Sequence, residues 1–457
     1  MKDMTSGSPA KLLLFFTIPL LIGNIFHQLY VISDTWIVGR VLGKEALAAI
    51  GGSSGTLLFL VFGFVSCMIS GLMARTSQYF GAKKYRKVRR SIATSFVITV
   101  ITAVIITAVT VGFLDHFLRW LKTPEDSFLH ARDYLMVLFG GTLISCVFLF
   151  IQMVLRALGD SRTPLYFLIF FNLLNIGLNA LFVYVIGRGV GGVAEATIIS
   201  QFVTTILCGS YALKRYKILR LKWYDWIFKL SFYWDHLKIS MPIGFQCTVT
   251  SLGICVMQAV VNQFGTDAVA GASAVSPIAT LTISALFSIG TASMTYTAQN
   301  YGARDLKRIR KGVRIISISA IIFSMITGWI MVIFAPQLIS IFVDAETTPA
   351  VIDYGVRNIR VGAPLYPVLA LLIIFRNVLQ GFGCANISFF GGVAEMIIRT
   401  LCAPFLAVWF GYEGAIACNP LAWAGAMLLM LIYYICMIKK FRKHGIPEIT
   451  KKKTAKA

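Results

Sequence analysis

Asp34 stands in YVISDTWIVGR (30–40), near the end of an apolar run that begins at Leu12. A carboxylate at the centre of a membrane helix costs about 2.5–3.5 kcal/mol on insertion scales, so it needs a use or a partner. The chemistry open to it is that of a switchable charge, which draws in a cation when ionised and releases it when protonated or filled by another ion. At 100° per residue, Asn24, Gln28 and Thr35 share a narrow arc, with His27 and Asp34 together on its flank. In FFNLLNIGLNALFVY (170–184), Asn172, Asn175 and Asn179 follow an i, i+3, i+7 stripe. Asn179 and Asp34 are expected at similar depth in the outer half of the membrane. Glu195, just inside the outer end of the sixth span, is within reach of the same group.

Each residue also has a plainer reading. Asparagine stripes glue helices through interhelical hydrogen bonds as readily as they build sites. His27 serves either as a hydrogen-bonded packing residue or as a proton relay, and Glu195 either joins Asp34 or sits at the interface beside Arg188. Asp34 has no basic partner in its own half of the membrane, which favours a functional role. The second half of the chain carries a different set. Glu395 and Arg399 are four apart and can pair along one helix face, Arg376 is near enough to the inner surface to snorkel, and Gln246 is a lone amide in MPIGFQCTVT (241–250).

These side chains need helices in lipid to hold them. Of 457 residues, 57% are hydrophobic and 13% charged, whereas soluble domains carry about 25% charged residues. Twelve apolar runs are long enough to cross the hydrocarbon core: 13–38, 49–74, 92–113, 133–155, 164–186, 192–213, 238–261, 274–297, 313–336, 359–380, 387–410 and 414–437. Their length, with Gly and Pro inside them, suits a helical bundle rather than a barrel of short alternating strands. The first run is too long, and too interrupted by polar residues, for a cleaved signal peptide.

A net charge of +23 raises the question of nucleic acid, and the positions of the charges answer it. With the N-terminus inside, 32 Lys and Arg fall in inner segments and 8 in outer ones. The inner runs are KKYRKVRR (83–90), KRYKILRLK (214–222), RDLKRIRK (304–311) and KKFRKH (439–444), whereas DAETTPAVID (344–353) is acidic and outer. This asymmetry marks topology, with both termini cytoplasmic in a multi-pass plasma-membrane protein, and the basic runs contact anionic lipid rather than nucleic acid.

The chain also repeats itself. SQYFGAKKYRKVRRS (77–91) returns as AQNYGARDLKRIRKG (298–312), VLRALGDSRTP (154–164) as VLQGFGCANIS (378–388), and GVGGVAEA (189–196) as GYEGAIAC (411–418). Pro19 and Pro242 occupy matching places. Six spans per half, an even number, make the repeats parallel, and parallel repeats enclose a cleft whose walls rock in alternating access. The expected fold is therefore an all-α integral membrane protein of twelve transmembrane helices in two parallel six-helix repeats, N-lobe and C-lobe, around a central cleft. Residues 1–213 form the first lobe, 214–236 a cytoplasmic linker, 237–438 the second lobe and 439–457 a basic cytoplasmic tail.

Other classes lack their chemistry. There is no HExxH, no GxSxG and no Walker A loop. GRGVGG (187–192) matches GxGxxG but lies in a short outer turn with no preceding strand, which excludes dinucleotide binding. The nine cysteines show no CxxC and no metal-ligand spacing. No cofactor is expected, and the chain is not expected to be an enzyme.

SDTWIVGRVLGKEALAAIG (33–51), QYFGAKKYRKVRR (78–90), LRALGDSRTP (155–164), GVGGVAEATIISQ (189–201) and QNYGARDLKRIRK (299–311), in this order, resemble the multidrug and toxic compound extrusion (MATE) family over essentially the whole chain. The resemblance implies a twelve-helix exporter of drugs or other organic compounds, working as a monomer in exchange for H+ or Na+. It implies that Asp34 and Asn175 belong to an ion-coupling site of the N-lobe. The family often has Asp where this chain has Asn179, so one carboxylate is left to dominate. Amide oxygens of Asn175, Asn179 and Gln28 suit Na+ as well as a hydrogen-bonded carboxylic acid. With Gln246 in place of a seventh-span glutamate, a C-lobe cation site of the family type is not expected. The rival reading is a lipid-linked saccharide flippase, for whose headgroup Arg376 and Arg399 are the only deep cations.

Overall fold

The computed structural model describes residues 3–121, 123–226, 229–342 and 349–449, all helical or connecting. Half of the acidic stretch 344–353 and the end of the basic tail fall outside these residues. Sixteen α-helices follow in order: α1 Pro9–Ile37, α2 Gly43–Gly51, α3 Ser53–Gly81, α4 Tyr85–Gly112, α5 Leu114–Trp120, α6 Glu125–Gly140, α7 Thr142–Ala157, α8 Arg162–Ala180, α9 Val190–Arg215, α10 Leu230–Val261, α11 Thr266–Gly302, α12 Leu306–Ile333, α13 Ala335–Ser340, α14 Pro349–Gly362, α15 Tyr366–Phe382 and α16 Ala385–His444. Among the described residues, ten helical segments are long and apolar enough to cross a membrane, and the pair α6–α7, bent by 53°, makes an eleventh. In α16 the backbone turns at Gly411 (φ 62°), so its 60 residues are two helices in sequence. An unbroken helix of that length would extend about 90 Å, three times the hydrocarbon thickness.

The repeat seen in the sequence is written into the backbone. Among the described residues the only non-glycine residues with positive φ are Lys83 (56°) and Arg304 (60°), which occupy matching places in the two FGAKK/YGARD copies. A side chain in the left-handed region is uncommon, so the coincidence marks one turn built twice. Gly43 with Gly265 and Gly159 with Gly383 show positive φ at corresponding positions.

The chain divides into two compact units. Unit 1 holds residues 1–3 and 18–240, and unit 2 holds 4–17 and 241–457. Besides the change after residue 3, the chain passes between units at 17/18 and at 240/241, so the second segments of the two units begin one residue before Pro19 and one before Pro242. Each copy of the Lys/Arg-rich motif grips the chain that leads into one of these helices. In unit 2, Met4 N–H donates to Gln299 Oε1 (3.0 Å), and the Met4 carbonyl accepts from Asn300 Nδ2 (3.1 Å) and Arg308 Nη2 (3.1 Å). In unit 1, Arg89 pairs with the buried Asp225 (3.0 Å), and Ser91 Oγ lies 2.8 Å from His236 Nε2.

The apolar core of unit 1 gathers around Leu135, Phe139, Val193 and Ala194, where α6 and α9 pack. That packing sets the height of α9 and hence of Thr197, one turn further along. In unit 2 a smaller core forms around Tyr412, Ala415 and Cys418.

Candidate functional site

Two polar clusters are buried, one in each unit. The first is built where α1 and α8 both change from α to π winding, at Val38–Leu42 and Leu181–Val185. π turns inside α-helices occur often at functional sites. One turn before these changes, Asn179 Nδ2 donates to Asp34 Oδ1 at 2.5 Å and lies 2.9 Å from Asn175 Oδ1. The surrounding groups favour the Asn175 rotamer in which its own Nδ2 donates to Asp34 Oδ1 (3.1 Å). Its oxygen then accepts from Thr197 N–H (3.3 Å) and Oγ1–H (3.2 Å). Tyr30, on the same face of α1 as Asp34, brings its hydroxyl to 3.4 Å from Thr197 Oγ1. Tyr134 of α6 is close enough to interact electrostatically with Asp34.

Asn175 and Asn179 are fully buried and Asp34 partly so. Asp34 forms no ion pair among the described residues, and its partners are neutral: the amides of Asn175 and Asn179 and the hydroxyl of Tyr30. Asn179 Oδ1 is buried without a hydrogen-bond donor. A carboxylate beside an unused carbonyl oxygen is a set of hard oxygen donors, suited to a proton or an alkali ion. Among the described residues, no group of three or more His, Cys, Asp or Glu could hold a metal.

The remaining first-half candidates stand apart from this cluster. Asn172 is glue: its Nδ2 donates to the Phe26 carbonyl at 2.9 Å and ties α8 to α1. His27 meets Tyr30 edge-on (5.8 Å between ring centres) and, like Gln28, makes no hydrogen bond to the cluster among the described residues. Glu195 is taken by Arg188, an ion pair near the surface. Sequence reasoning missed Tyr30 and Thr197. Tyr30 is four residues before Asp34, and Thr197 is two after Glu195, so both spacings were visible but neither residue type carries a charge to draw notice.

The second cluster lies in unit 2. Glu395 pairs with Arg399 (3.2 Å) as the i, i+4 spacing predicts. Arg376 does not snorkel: it is 7% exposed and donates to the other oxygen of Glu395, because the packing of α15 against α16 brings it to that buried acid rather than to the interface. Arg399 Nε also donates to Asn419 Oδ1 (3.0 Å). Gln246 Nε2 donates to Thr250 Oγ1 (3.1 Å) on the face of α10 that meets Gly392.

The family pattern described as MatE matches residues 19–181 and again 242–405, once in each half. A probable multidrug resistance protein, YpnP of Bacillus subtilis (strain 168), is 29% identical over 425 residues, covering 90% of this chain and 92% of its own. An FAD transporter of Shewanella oneidensis is 22% identical, with 95% and 96% covered. A solved MOP superfamily transporter from Pyrococcus furiosus, described as having a binding pocket of reversed polarity, superposes with a TM-score of 0.90. It shares 20% identity and covers 96% of this chain and 98% of its own.

Proposed function

The chain belongs to the MATE family, and from that membership we propose that it is a secondary active exporter of small organic compounds, driven by antiport of H+ or Na+. Counting the bent pair α6–α7 as one pass and α16 as two gives twelve passes, six per repeat. The Lys/Arg bias sets both termini on the cytoplasmic side of the plasma membrane, and the protein works as a monomer by alternating access.

The observation that carries the coupling is that Asp34, among the described residues, is partnered by neutral groups alone. An ionised carboxylate removed from water and given no guanidinium or ammonium partner is costly, so it is stable only with a mobile cation. A proton, a sodium ion and the cationic group of a substrate compete for that place. A ligand that differs in affinity for two conformations shifts the balance between them, and mutual exclusion at one carboxylate therefore yields exchange. Asn175, Asn179, Thr197 and Tyr30 fix its orientation. The names of the relatives, multidrug resistance proteins and an FAD transporter, support organic substrates in general. A lipid-linked saccharide flippase is less well supported, since two deep arginines set against Glu395 leave a net of one positive charge, too little for a pyrophosphate headgroup.

Reconstitution in liposomes tests the reading. An imposed pH or Na+ gradient should drive a cationic dye uphill in the wild type. Asp34→Asn should insert and fold normally but lose gradient-driven movement, while Asn179→Ala only weakens it. Wild-type uphill rates in a normally inserted Asp34→Asn variant would refute the assignment.

A further inference from the structure

We propose that the buried cluster Arg376–Glu395–Arg399 of unit 2 is a binding site for a monovalent anionic group, either the carboxylate of an organic compound or a chloride ion. The charge count is the first reason. These are the only charged side chains buried in unit 2 among the described residues. Both oxygens of Glu395 are used, Oε1 by Arg376 and Oε2 by Arg399. Two guanidinium groups facing one carboxylate leave a surplus of one positive charge. One arginine would have balanced Glu395, and a second, uncompensated in the interior, is a large cost unless something neutralises it.

The donor inventory is the second reason. A guanidinium has N–H groups on three nitrogens and no acceptor. Arg376 Nε and Arg399 Nη1 are both buried without an acceptor, on different residues that converge on one acid. A single anion accepting from both would satisfy the two donors and cancel the surplus. A dianion would overshoot, leaving a buried negative charge instead.

The neighbouring helix sets no side chain against the free edge of Arg399 at Gly253. Gln246, Thr250 and Gly253 form an i, i+4, i+7 stripe on α10. A Cβ on Gly253 would sit 3.5 Å from Arg399 Nη1 and 3.1 Å from Met396 Cα, so any side chain there would crowd the guanidinium's free edge. Gly392 performs the same service one turn away, where a Cβ would meet Gln246 Cγ at 3.0 Å and Thr250 Oγ1 at 3.2 Å. The unpartnered edge of Arg399 thus faces backbone, and a polar amide–hydroxyl pair lies along the same stripe.

This site is separate from Asp34. It rests on the export reading only in assigning the carboxylate to a transported compound. The test therefore reads binding, with the purified full-length protein. In one arm, chloride replaces isethionate at constant ionic strength while thermal unfolding is followed; a stabilisation that saturates with chloride is expected. In the other, fluorescence anisotropy compares rhodamine 110, a free acid, with its methyl ester rhodamine 123. The acid should bind about tenfold more tightly, the scale of one hydrogen bond to a charged group. Saturable chloride stabilisation without dye preference identifies the ion as the occupant, and dye preference without a chloride effect identifies the carboxylate. Glu395→Gln should strengthen anion binding, and Arg399→Lys should weaken it. Asp34→Asn should lose gradient-driven export and keep the anion preference. Equal binding of the two dyes, together with no saturable chloride effect in the wild type, would overturn the proposal and leave the cluster a structural ion pair.

Discussion

Replacing Asp160 by Ala should destabilise unit 1 by about 2.5–4 kcal/mol. Asp160 lies between α7 and α8 in the GDSRTP turn and does two jobs at once. Its Oδ1 accepts the backbone N–H groups of Arg162 and Thr163 (3.1 Å each), which opens α8 with a cap. Its Oδ2 accepts the hydroxyl of Tyr216 at 2.6 Å, just beyond the end of α9. A lost cap costs about 1 kcal/mol, and a hydrogen bond to a charged group contributes about 1.5–3 kcal/mol. The double-mutant cycle of Asp160→Ala with Tyr216→Phe should therefore show a coupling of about 1.5–3 kcal/mol. Asp160→Asn keeps an oxygen for the cap and should fall between wild type and Ala. Burial pushes the Asp160 carboxyl up, but hydrogen bonds from Thr163 and Tyr216 outweigh it and hold the group below its ordinary value of 3.8. The Tyr216 hydroxyl is correspondingly pushed up to about 12 by burial and by its bond to Asp160. A carboxyl lowered in the folded state stabilises it above the unfolded value and loses that contribution as pH falls through the folded value. The Asp160 contribution should thus be complete at pH 5 and above and fade below about pH 4. Equilibrium unfolding in mixed micelles, followed by helicity across this range, measures it. Additivity of the two substitutions within about 0.5 kcal/mol would show that the Tyr216 contact contributes nothing.

Arg89→Ala leaves Asp225, which is fully buried, with the Lys222 N–H (3.0 Å) as its remaining donor among the described residues; a loss of about 3 kcal/mol in the same unfolding measurement is expected. Gly414→Ala should cost about 3 kcal/mol, because a Cβ would lie 2.1 Å from the Leu406 carbonyl oxygen, which is backbone. At its repeat mate Gly192 a Cβ would lie 2.8 Å from Arg188 Cβ and 3.3 Å from Phe182 Cβ, a smaller overlap than at Gly414, so Gly192→Ala should be milder in parallel melts. Cysteines introduced within 83–90 and 304–311 should react with an impermeant maleimide only after the cytoplasmic side is opened. Reaction of the 83–90 set in intact cells would reverse the proposed topology.

Spacing and composition were enough to read the helices, the repeat and the importance of Asp34, because each is a one-dimensional signal. Apolar runs long enough for the bilayer announce spans whatever they pack against. A duplicated motif keeps its offset, and the paired left-handed residues Lys83 and Arg304 show that it keeps its turn as well. Asp34 was legible because a carboxylate in an apolar run is expensive in any fold. Which residues share its hydrogen bonds was not legible. Asn172, Asn175 and Asn179 are alike in type and lie on one stripe, yet only the last two meet Asp34, while Asn172 turns to a backbone carbonyl of α1. Tyr30 and Thr197 enter through the height of α9, which the core of unit 1 sets. Arg376 looked close enough to the inner surface to reach water and instead meets Glu395, because α15 packs against α16 at that level. The reason is common to all these cases: periodicity specifies the direction a side chain leaves its own helix, and only the packing of neighbouring helices decides what it meets.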